Sequence, residues 1–183
     1  GELMRMKAEG KIRAIGASNV QLRHLEEYRQ SGQLDVIQEK YSMLDRRVEE
    51  ELLPYCEANT VTLQTYSPIE QGLLTGTVPN GYVPRPGEAR ENKLWWRPQT
   101  IAIANEMMDG WRDLTDQYHC SIANLVIAWS MKRSPQFNIL CGARKLHQIA
   151  ENVKSAGVEL TNEDFARMEA DADQAILRAK ALG

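Results

Sequence analysis

Residues 12–25, with the sequence IRAIGASNVQLRHL, carry the pattern that decides the fold. The opening IRAI is typical of a buried strand, and Gly16 interrupts the apolar run. Ser18 and Asn19 are good helix caps, and a helical period begins at Leu22. The stretch therefore predicts a strand that turns sharply into a helix, a junction typical of α/β domains.

The same alternation continues along the chain. Three further apolar or β-rich runs lie at residues 35–41, 61–67 and 136–142. Helical patterns cover residues 3–7, 20–30, 48–58, 101–118, 122–132, 146–156 and 161–179. Gly10 is expected to end the first helix, and Ser121 and Thr161 are expected to cap later ones. Strands that alternate with helices predict parallel βα units, and we see no boundary that would divide residues 1–183 into two domains.

The composition argues against several classes of protein. The chain has 183 residues, 26% of them charged, with a formal net charge of −3, so a basic nucleic-acid surface is not expected. The most apolar run, residues 122–131, is too short to span a bilayer, and no signal peptide is evident near Gly1. Because the 3 cysteines and 3 histidines show no ligand spacing, we expect reduced thiols, no metal site and a cytoplasmic location.

Residues 68–99 break the alternation. This proline-rich stretch, called the 68–99 loop below, is longer than ordinary connections in compact domains. Loops of such length are usually functional lids, and Trp95 and Trp96 near its end indicate that it docks onto the rest of the molecule. The sequence therefore predicts a lid-like loop.

The number of strands raises a physical difficulty. Four parallel strands in an open sheet would leave apolar backbone exposed at both edges. A closed eight-stranded barrel typically needs about 250 residues. We therefore expect residues 1–183 to be roughly the second half of a barrel. On its own such a chain is expected to be unstable, dimeric through its open edges, or aggregated.

Four segments support this expectation through a family resemblance. IRAIGASN, VIQEKYSMLDR, LQTYSPIEQGLLTG and CGARKLHQIAENV resemble the later motifs of the aldo-keto reductases, in the family's order. The resemblance implies a (β/α)8 TIM barrel, of which this chain would be the C-terminal half with strands five to eight. It implies an oxidoreductase that uses NADP(H) to reduce aldehydes or ketones to alcohols. The 68–99 loop resembles subfamilies related to potassium-channel β subunits.

The resemblance also assigns a nicotinamide site. Ser18, Asn19 and Gln38 would hydrogen-bond the nicotinamide carboxamide, and the ring of Tyr66 would stack on the nicotinamide. From the residues alone, other roles remain open: a helix cap for Ser18 and Asn19, and a backbone-bonded amide for Gln38. Because an unpaired amide is costly inside a barrel, Gln38 is in either case expected to have a fixed partner. Taken alone, Tyr66 is more typical of a core residue.

The remaining cofactor residues are likewise assigned by resemblance. The pyrophosphate would be held by Ser67, Pro68, Ile69, Gln71, Gly72 and Leu73, with Arg90 as a weaker phosphate clamp. The adenosine end would be held by Gly142, Arg144, Gln148, Glu151 and Asn152. Arg144 and Lys145 would favour NADP(H) through its 2′-phosphate. The alternatives are an ordinary turn at the first segment and a charged helix start at the second.

Three departures from the family pattern matter. Cys141 stands where members commonly have proline, and Thr77 stands where they often have lysine. The segments that would carry the catalytic Asp, Tyr, Lys and His are not recognised, so no catalytic residue is assigned and the chain alone is expected to be inactive. The expected partners are a small carbonyl substrate and either the missing N-terminal half-barrel or a second copy. A nucleotide-sensing subunit and an unrelated phosphate-binding barrel remain as alternatives.

Overall fold

A computed structural model of the chain describes residues 1–182. Its helices are α1 (Glu2–Ala8), α2 (Leu22–Ser31), α3 (Leu52–Asn59), α4 (Pro98–Asp109), α5 (Arg112–Gln117), α6 (Ile122–Arg133), α7 (Leu146–Lys154) and α8 (Asn162–Lys180). Its strands are β1 (Gly16–Ser18), β2 (Val36–Lys40), β3 (Thr62–Tyr66) and β4 (Phe137–Leu140). Short 3-10 turns lie at Arg47–Glu49, Glu70–Thr75, Leu94–Trp96 and Ser155–Gly157.

The strands form one four-stranded sheet in the order β1-β2-β3-β4, and every pair is parallel. Helices connect the strands, so the predicted α/β fold with parallel βα units is confirmed. The ends of β2, β3 and β4 lie within two residues of the predicted runs. All four carboxyl ends therefore meet at one edge of the sheet.

The prediction for the first strand was wrong in its position. The strand β1 begins at Gly16 rather than ending there, because Gly16 pairs with Val36 of β2. A Cβ atom on Gly16 would lie 2.7 Å from Val36 Cγ1 and 3.1 Å from Val36 O. Gly16 therefore permits close approach of two strands and does not interrupt one. Asp35 fixes the residue that precedes β1, because its carboxylate accepts a hydrogen bond from Ile15 N at 2.7 Å.

The helix predictions need one correction. The pattern at residues 101–118 is two helices, α4 and α5, which meet at Gly110 and Trp111. Two predicted caps are confirmed: Ser121 Oγ accepts from Asn124 N at 3.3 Å, and Thr161 Oγ1 accepts from Asp164 N at 3.0 Å. These caps set the starts of α6 and α8.

The core lies between the sheet and its covering helices. Trp129 of α6 is fully buried, with its ring stacked on Phe165 at 5.4 Å and on Tyr41 at 6.3 Å between centroids. Tyr41 also meets Phe137 of β4 edge-on at 4.7 Å. This aromatic column joins α8, α6 and the end of β2 across the core, so burial of large rings dominates its packing.

The 68–99 loop docks as predicted. Trp95 and Trp96 are buried, and Trp95 Nε1 donates to the carbonyl of Leu44 at 3.3 Å. The guanidinium of Arg90 lies over the ring of Trp96 at 4.5 Å and over that of Tyr82 at 5.4 Å. The loop is thus anchored at its C-terminal end and tied together internally by cation–π contacts.

The helix α7 is left largely uncovered. The nine residues of α7 include none that is buried. Leu146, Ile149 and Val153 lie on one face of this helix and are 83%, 53% and 68% exposed. Apolar residues at this spacing normally face a core. The described residues therefore leave an apolar helix face beside β4 without a cover.

Candidate functional site

Polar side chains from β1 and β3 form a chain of hydrogen bonds at the carboxyl edge of the sheet. Tyr66 OH donates to Asn19 Oδ1 at 2.8 Å, and Asn19 Nδ2 donates to Ser18 Oγ at 3.1 Å. Ser18 Oγ in turn donates to the carbonyl of Gln38 at 2.9 Å, and Asn19 N donates to the same oxygen at 3.1 Å. The structure thus brings together all four residues that the resemblance assigned to the nicotinamide.

The helix-cap interpretation of Ser18 and Asn19 was wrong. The helix α2 is capped by Gln21, whose backbone N donates to His24 Nδ1 at 3.1 Å. Asn19 instead has a left-handed backbone with φ of 54°. This conformation is one that asparagine tolerates well, and here it accompanies the contacts of Asn19 with Ser18 and Tyr66.

The amide of Gln38 has a fixed partner, as expected, but the partner is another side chain. Gln38 Nε2 donates to Gln64 Oε1 at 2.7 Å, and Gln64 Nε2 donates to Asn138 Oδ1 at 3.1 Å. The sequence reasoning missed both Gln64 and Asn138. The signal was available, because each is a polar residue inside an apolar strand, as Gln38 is.

A cavity of about 410 Å³ opens beside these groups, lined among others by Asn19, Lys40, Arg47 and Tyr66. Glu39 also borders it, and its carboxylate accepts from Val20 N at 2.7 Å. Burial raises the pKa of Glu39, although this hydrogen bond acts in the opposite direction. The cavity therefore lies where α/β proteins usually bind ligands, outside the carboxyl ends of parallel strands.

The segment after β3 has an unusual backbone. Ser67, Glu70 and Gln71 have φ of 61°, 45° and 56°, and Gly72 has φ of 104°. Left-handed residues next to ordinary ones turn successive backbone N–H groups toward a common side, a geometry that binds anions. Pro68 and Leu73 are buried, Ile69 is half-buried and Gln71 is exposed, so the predicted pyrophosphate residues divide between core and surface.

A buried ion pair holds this segment to β2. Glu70 is 2% exposed, and its carboxylate accepts from Ser42 Oγ at 2.7 Å and lies 2.9 Å from Lys40 Nζ. Burial lowers the pKa of Lys40, but the carboxylates of Glu70 and Asp45 outweigh it and raise the pKa overall. Lys40 therefore stays charged and fixes the segment, which explains why Glu70 is buried beside the exposed Gln71.

Arg90, the weaker candidate for a phosphate clamp, is engaged within the 68–99 loop. Its Nη2 donates to Tyr82 OH at 3.0 Å and to Glu88 Oε2 at 2.6 Å. With its contacts to the rings of Tyr82 and Trp96, this places Arg90 in a structural network of the loop. A phosphate would have to compete with the Glu88 carboxylate for it.

The predicted adenosine residues meet where β4 leads into α7. Gln148 Oε1 accepts from the backbone N of Arg144 at 2.8 Å and of Lys145 at 3.0 Å. Asn152 Nδ2 donates to the carbonyl of Gly142 at 3.5 Å, while Glu151 pairs with Lys154 at 2.8 Å. The Lys154 ammonium holds the pKa of Glu151 below its usual value. These residues thus lie near one another, and several of them already bond within the segment.

The remaining reactive groups are dispersed. Burial raises the pKa of the Cys56 thiol to about 12 and also raises the pKa of Cys120 and Cys141. A second cavity, of about 480 Å³, is lined among others by His119, Cys120 and Glu151. Within residues 1–182 no group of three or more His, Cys, Asp or Glu side chains could hold a metal ion. No helix in the same range has the length and apolar character needed to cross a bilayer.

Comparison with known proteins points to one family. A sequence model described as "Aldo/keto reductase family" matches residues 1–172. A relative named NADH-specific methylglyoxal reductase, from Escherichia coli (strain K12), is 47% identical over 166 residues, which are 91% of this chain and 50% of that protein.

Solved structures share the fold. A glycerol dehydrogenase from Gluconobacter oxydans superposes with a TM-score of 0.85 at 25% identity, over 97% of this chain and 53% of that chain. A structure of the protein Gox0644 in complex with NADPH gives a TM-score of 0.63 at 17% identity, over 92% of this chain and 50% of that chain. The present chain thus spans about half the length of the relatives that it matches.

Proposed function

The chain belongs to the aldo/keto reductase family, and we propose that it forms the cofactor-holding half of a (β/α)8 barrel that reduces aldehydes or ketones. The observation that carries the proposal is the hydrogen-bonded group of Ser18, Asn19, Gln38 and Tyr66 beside a cavity at the carboxyl edge of the sheet. Barrel enzymes place their active sites at this edge.

The chemistry of these side chains suits a nicotinamide. A carboxamide needs one hydrogen-bond donor and one acceptor, and the amides of Asn19 and Gln38 offer both. Tyr66 offers an aromatic ring at the same edge, which suits contact with a flat heterocycle. When bound, a nicotinamide cofactor supplies the hydride for carbonyl reduction. In this proposal Asn19 and Gln38 orient the carboxamide and Tyr66 covers one face of the ring.

The segment after β3 suits a diphosphate. Its left-handed residues form a tight turn, and the Lys40–Glu70 pair holds the segment to β2. The N–H groups of Glu70 and Gly72 donate to carbonyls of the same segment, so a phosphate would meet its remaining N–H groups. Such groups stabilise a phosphate through hydrogen bonds and do not neutralise its charge. We assign the pyrophosphate to residues 67–73, with Gln71 at the exposed edge.

For the cofactor type we propose NADP(H). Arg144 and Lys145 are exposed at the start of α7, and cations of this kind bind a 2′-phosphate well. The second candidate is NADH, which the name of the Escherichia coli relative favours. The two candidates differ only in the 2′-phosphate, so Arg144 is the residue that separates them.

The proton for the carbonyl oxygen is proposed to come from outside residues 1–183. Glu39 and Tyr66 border the Asn19 cavity but are engaged within the chain, since Glu39 accepts from Val20 N and Tyr66 OH donates to Asn19 Oδ1. The relatives are also about twice as long as the chain. We propose that a complementary half-barrel supplies the proton donor and most of the substrate pocket. The substrate class is small carbonyl compounds, of which methylglyoxal is named for one relative.

Calorimetric titration of the purified chain tests the proposal. We expect NADPH to bind. Asn19→Ala should weaken NADPH binding about tenfold, because one uncharged hydrogen-bonding partner is lost. ADP-ribose 2′-phosphate, which lacks the nicotinamide, should bind both proteins alike. Arg144→Ala should weaken NADPH binding and leave NADH binding unchanged. The matched control is Arg23→Ala, because Arg23 is an exposed arginine on α2. If neither NADPH nor NADH binds, the proposal is overturned.

A further inference from the structure

Three amide side chains form a row across the sheet. Gln38, Gln64 and Asn138 occupy the same register position on β2, β3 and β4 and lie on the same face. Two hydrogen bonds join them, at 2.7 Å between Gln38 and Gln64 and at 3.1 Å between Gln64 and Asn138. We call these three residues the amide row.

The sheet itself does not require the amide row. The backbone pairing of the three strands is complete at this register, and the opposite face carries the fully buried Ile37 and Leu63. Parallel strands are usually apolar on both faces. Ordering a long amide side chain also costs more conformational entropy than ordering an apolar side chain. A row of amides at adjacent register positions therefore indicates a ligand-related role.

The amide row has a direction. Gln38 donates to Gln64, and Gln64 donates to Asn138, so each amide presents its oxygen to the preceding residue and its nitrogen to the next. Reversing one amide would place two donors or two acceptors against each other. Gln38 can consequently turn only together with Gln64 and Asn138, which couples its orientation to theirs.

Gln38 is also held by its backbone. Its carbonyl accepts from Ser18 Oγ and from Asn19 N, which ties it to the hydrogen-bond chain that starts at Tyr66. With its nitrogen engaged by Gln64, Gln38 Oε1 has no partner among residues 1–182. The unused group of Gln38 is therefore an acceptor.

We infer that Gln64 and Asn138 are positioning residues, which orient the amide of Gln38 so that its oxygen selects a ligand with an N–H₂ group. This inference rests on the proposed function, in which that ligand is the nicotinamide carboxamide. An acceptor at this place favours an amide and disfavours a carboxylate of the same size, because a carboxylate has only acceptors. The amide row thus discriminates nicotinamide dinucleotides from their nicotinic acid counterparts.

The test compares the affinities of the chain for NADP⁺ and for nicotinic acid adenine dinucleotide phosphate, which differ only in the amide and the carboxylate. We expect the native chain to prefer NADP⁺ by about tenfold or more. Gln64→Leu should bring this ratio below about threefold, since the Gln38 amide is then free to rotate. Gln64→Glu keeps the acceptor for Gln38 and should retain the preference. Thr62→Val, on the same face of β3, is the matched control.

A second measurement does not depend on cofactor binding. In nitrogen-15 spectra of the native chain, the side-chain amide protons of Gln38 should exchange slowly with solvent, and Gln64→Leu should accelerate that exchange. Rapid exchange in the native chain, or an unchanged NADP⁺ preference in a folded Gln64→Leu protein, would overturn the inference. Slow exchange without any cofactor binding would instead refute the proposed function while supporting the orientation of Gln38.

Discussion

The helices α6 and α7 flank the same strand, β4, yet the chain covers them very differently. Every residue of α6 from Ala123 to Ser130 is buried, whereas α7 has no buried residue and carries its apolar face in solvent. Both patterns are those of helices that pack against something. The comparison shows that the described residues cover α6 and leave the apolar face of α7 exposed.

The two faces of the sheet repeat this contrast. On the helix-covered face Ile37 and Leu63 are fully buried, while on the other face Gln38 and Gln64 are half-buried and Asn138 is exposed. A barrel closes its sheet so that one face looks inward and the other is covered by helices. In the half-barrel proposal, the amide face and the apolar face of α7 are the surfaces that a complementary half would cover.

The largest expected loss of stability comes from a substitution in the buried helix α6. Trp129→Ala removes the ring that stacks between Tyr41 and Phe165, and it should lower the free energy of unfolding by about 3–5 kcal/mol. Urea denaturation followed by circular dichroism measures the change. Trp129→Phe retains an aromatic ring and should lose distinctly less. A loss below about 1 kcal/mol for the alanine variant would show that α6 is not fully packed.

A smaller effect is expected where the two helices meet. Asn124 of α6 is buried, and its Nδ2 donates to the carbonyl of Glu151 at 2.7 Å and to Ser155 Oγ at 3.0 Å. Asn124→Ala should destabilise the chain by about 1–3 kcal/mol, because buried acceptors lose their donor. Backbone hydrogen exchange should rise in α7 more than in the body of α6. An equal rise in both helices would contradict this link.

A pH-dependent effect is expected at Glu39, where the sheet meets its covering helices. Burial raises the pKa of Glu39 above its usual value near 4.5, so the folded chain binds more protons than the unfolded chain between these two pKa values. Its contribution to stability is therefore full below that usual pKa and is lost as pH rises through the folded-state pKa.

Glu39→Gln keeps an oxygen to accept from Val20 N and removes the charge. It should leave stability at pH 7 equal or higher, by no more than about 1 kcal/mol, and should abolish the pH dependence in that window. Urea midpoints measured from pH 4 to pH 8 test this. Persistence of the same slope in the variant would assign the pH dependence to another group.

The smallest effect on stability is expected on the uncovered side. Ile149→Ser on α7 should change the free energy of unfolding by less than about 0.5 kcal/mol, because the side chain is already in solvent. It should also weaken self-association in sedimentation experiments, since it reduces an exposed apolar face. The matched control is Leu125→Ser in α6, which should unfold the chain. A large loss of stability from Ile149→Ser would mean that this face is covered in solution.

Much of the fold could be predicted because its signals are local. Apolar runs gave the positions of β2, β3 and β4, and the caps at Ser121 and Thr161 marked two helix starts. The error at β1 has a tertiary cause. Gly16 is needed because Val36 on the next strand approaches closely, and no local pattern distinguishes that need from an interruption.

The sequence predicted which residues belong to the candidate site better than it predicted the hydrogen bonds among them. The residue types of Ser18 and Asn19 favoured a helix cap, and only the position of Gln21 and the approach of Tyr66 separate the two roles. Gln64 and Asn138 are each visible in the sequence as a polar residue in an apolar strand, but their alignment with Gln38 comes from register across three strands. Register depends on how the strands pair, which residue types within one strand do not reveal.

The burial of the indole rings has an optical consequence. All four tryptophans of the chain, Trp95, Trp96, Trp111 and Trp129, are buried, and they divide between the anchor of the 68–99 loop and the helical core. Tryptophan emission from the folded chain should therefore lie at short wavelength, with no component from a solvated indole. Release of the loop anchor alone would shift only part of that emission to the red. One spectrum can thus distinguish detachment of the loop from unfolding of the domain.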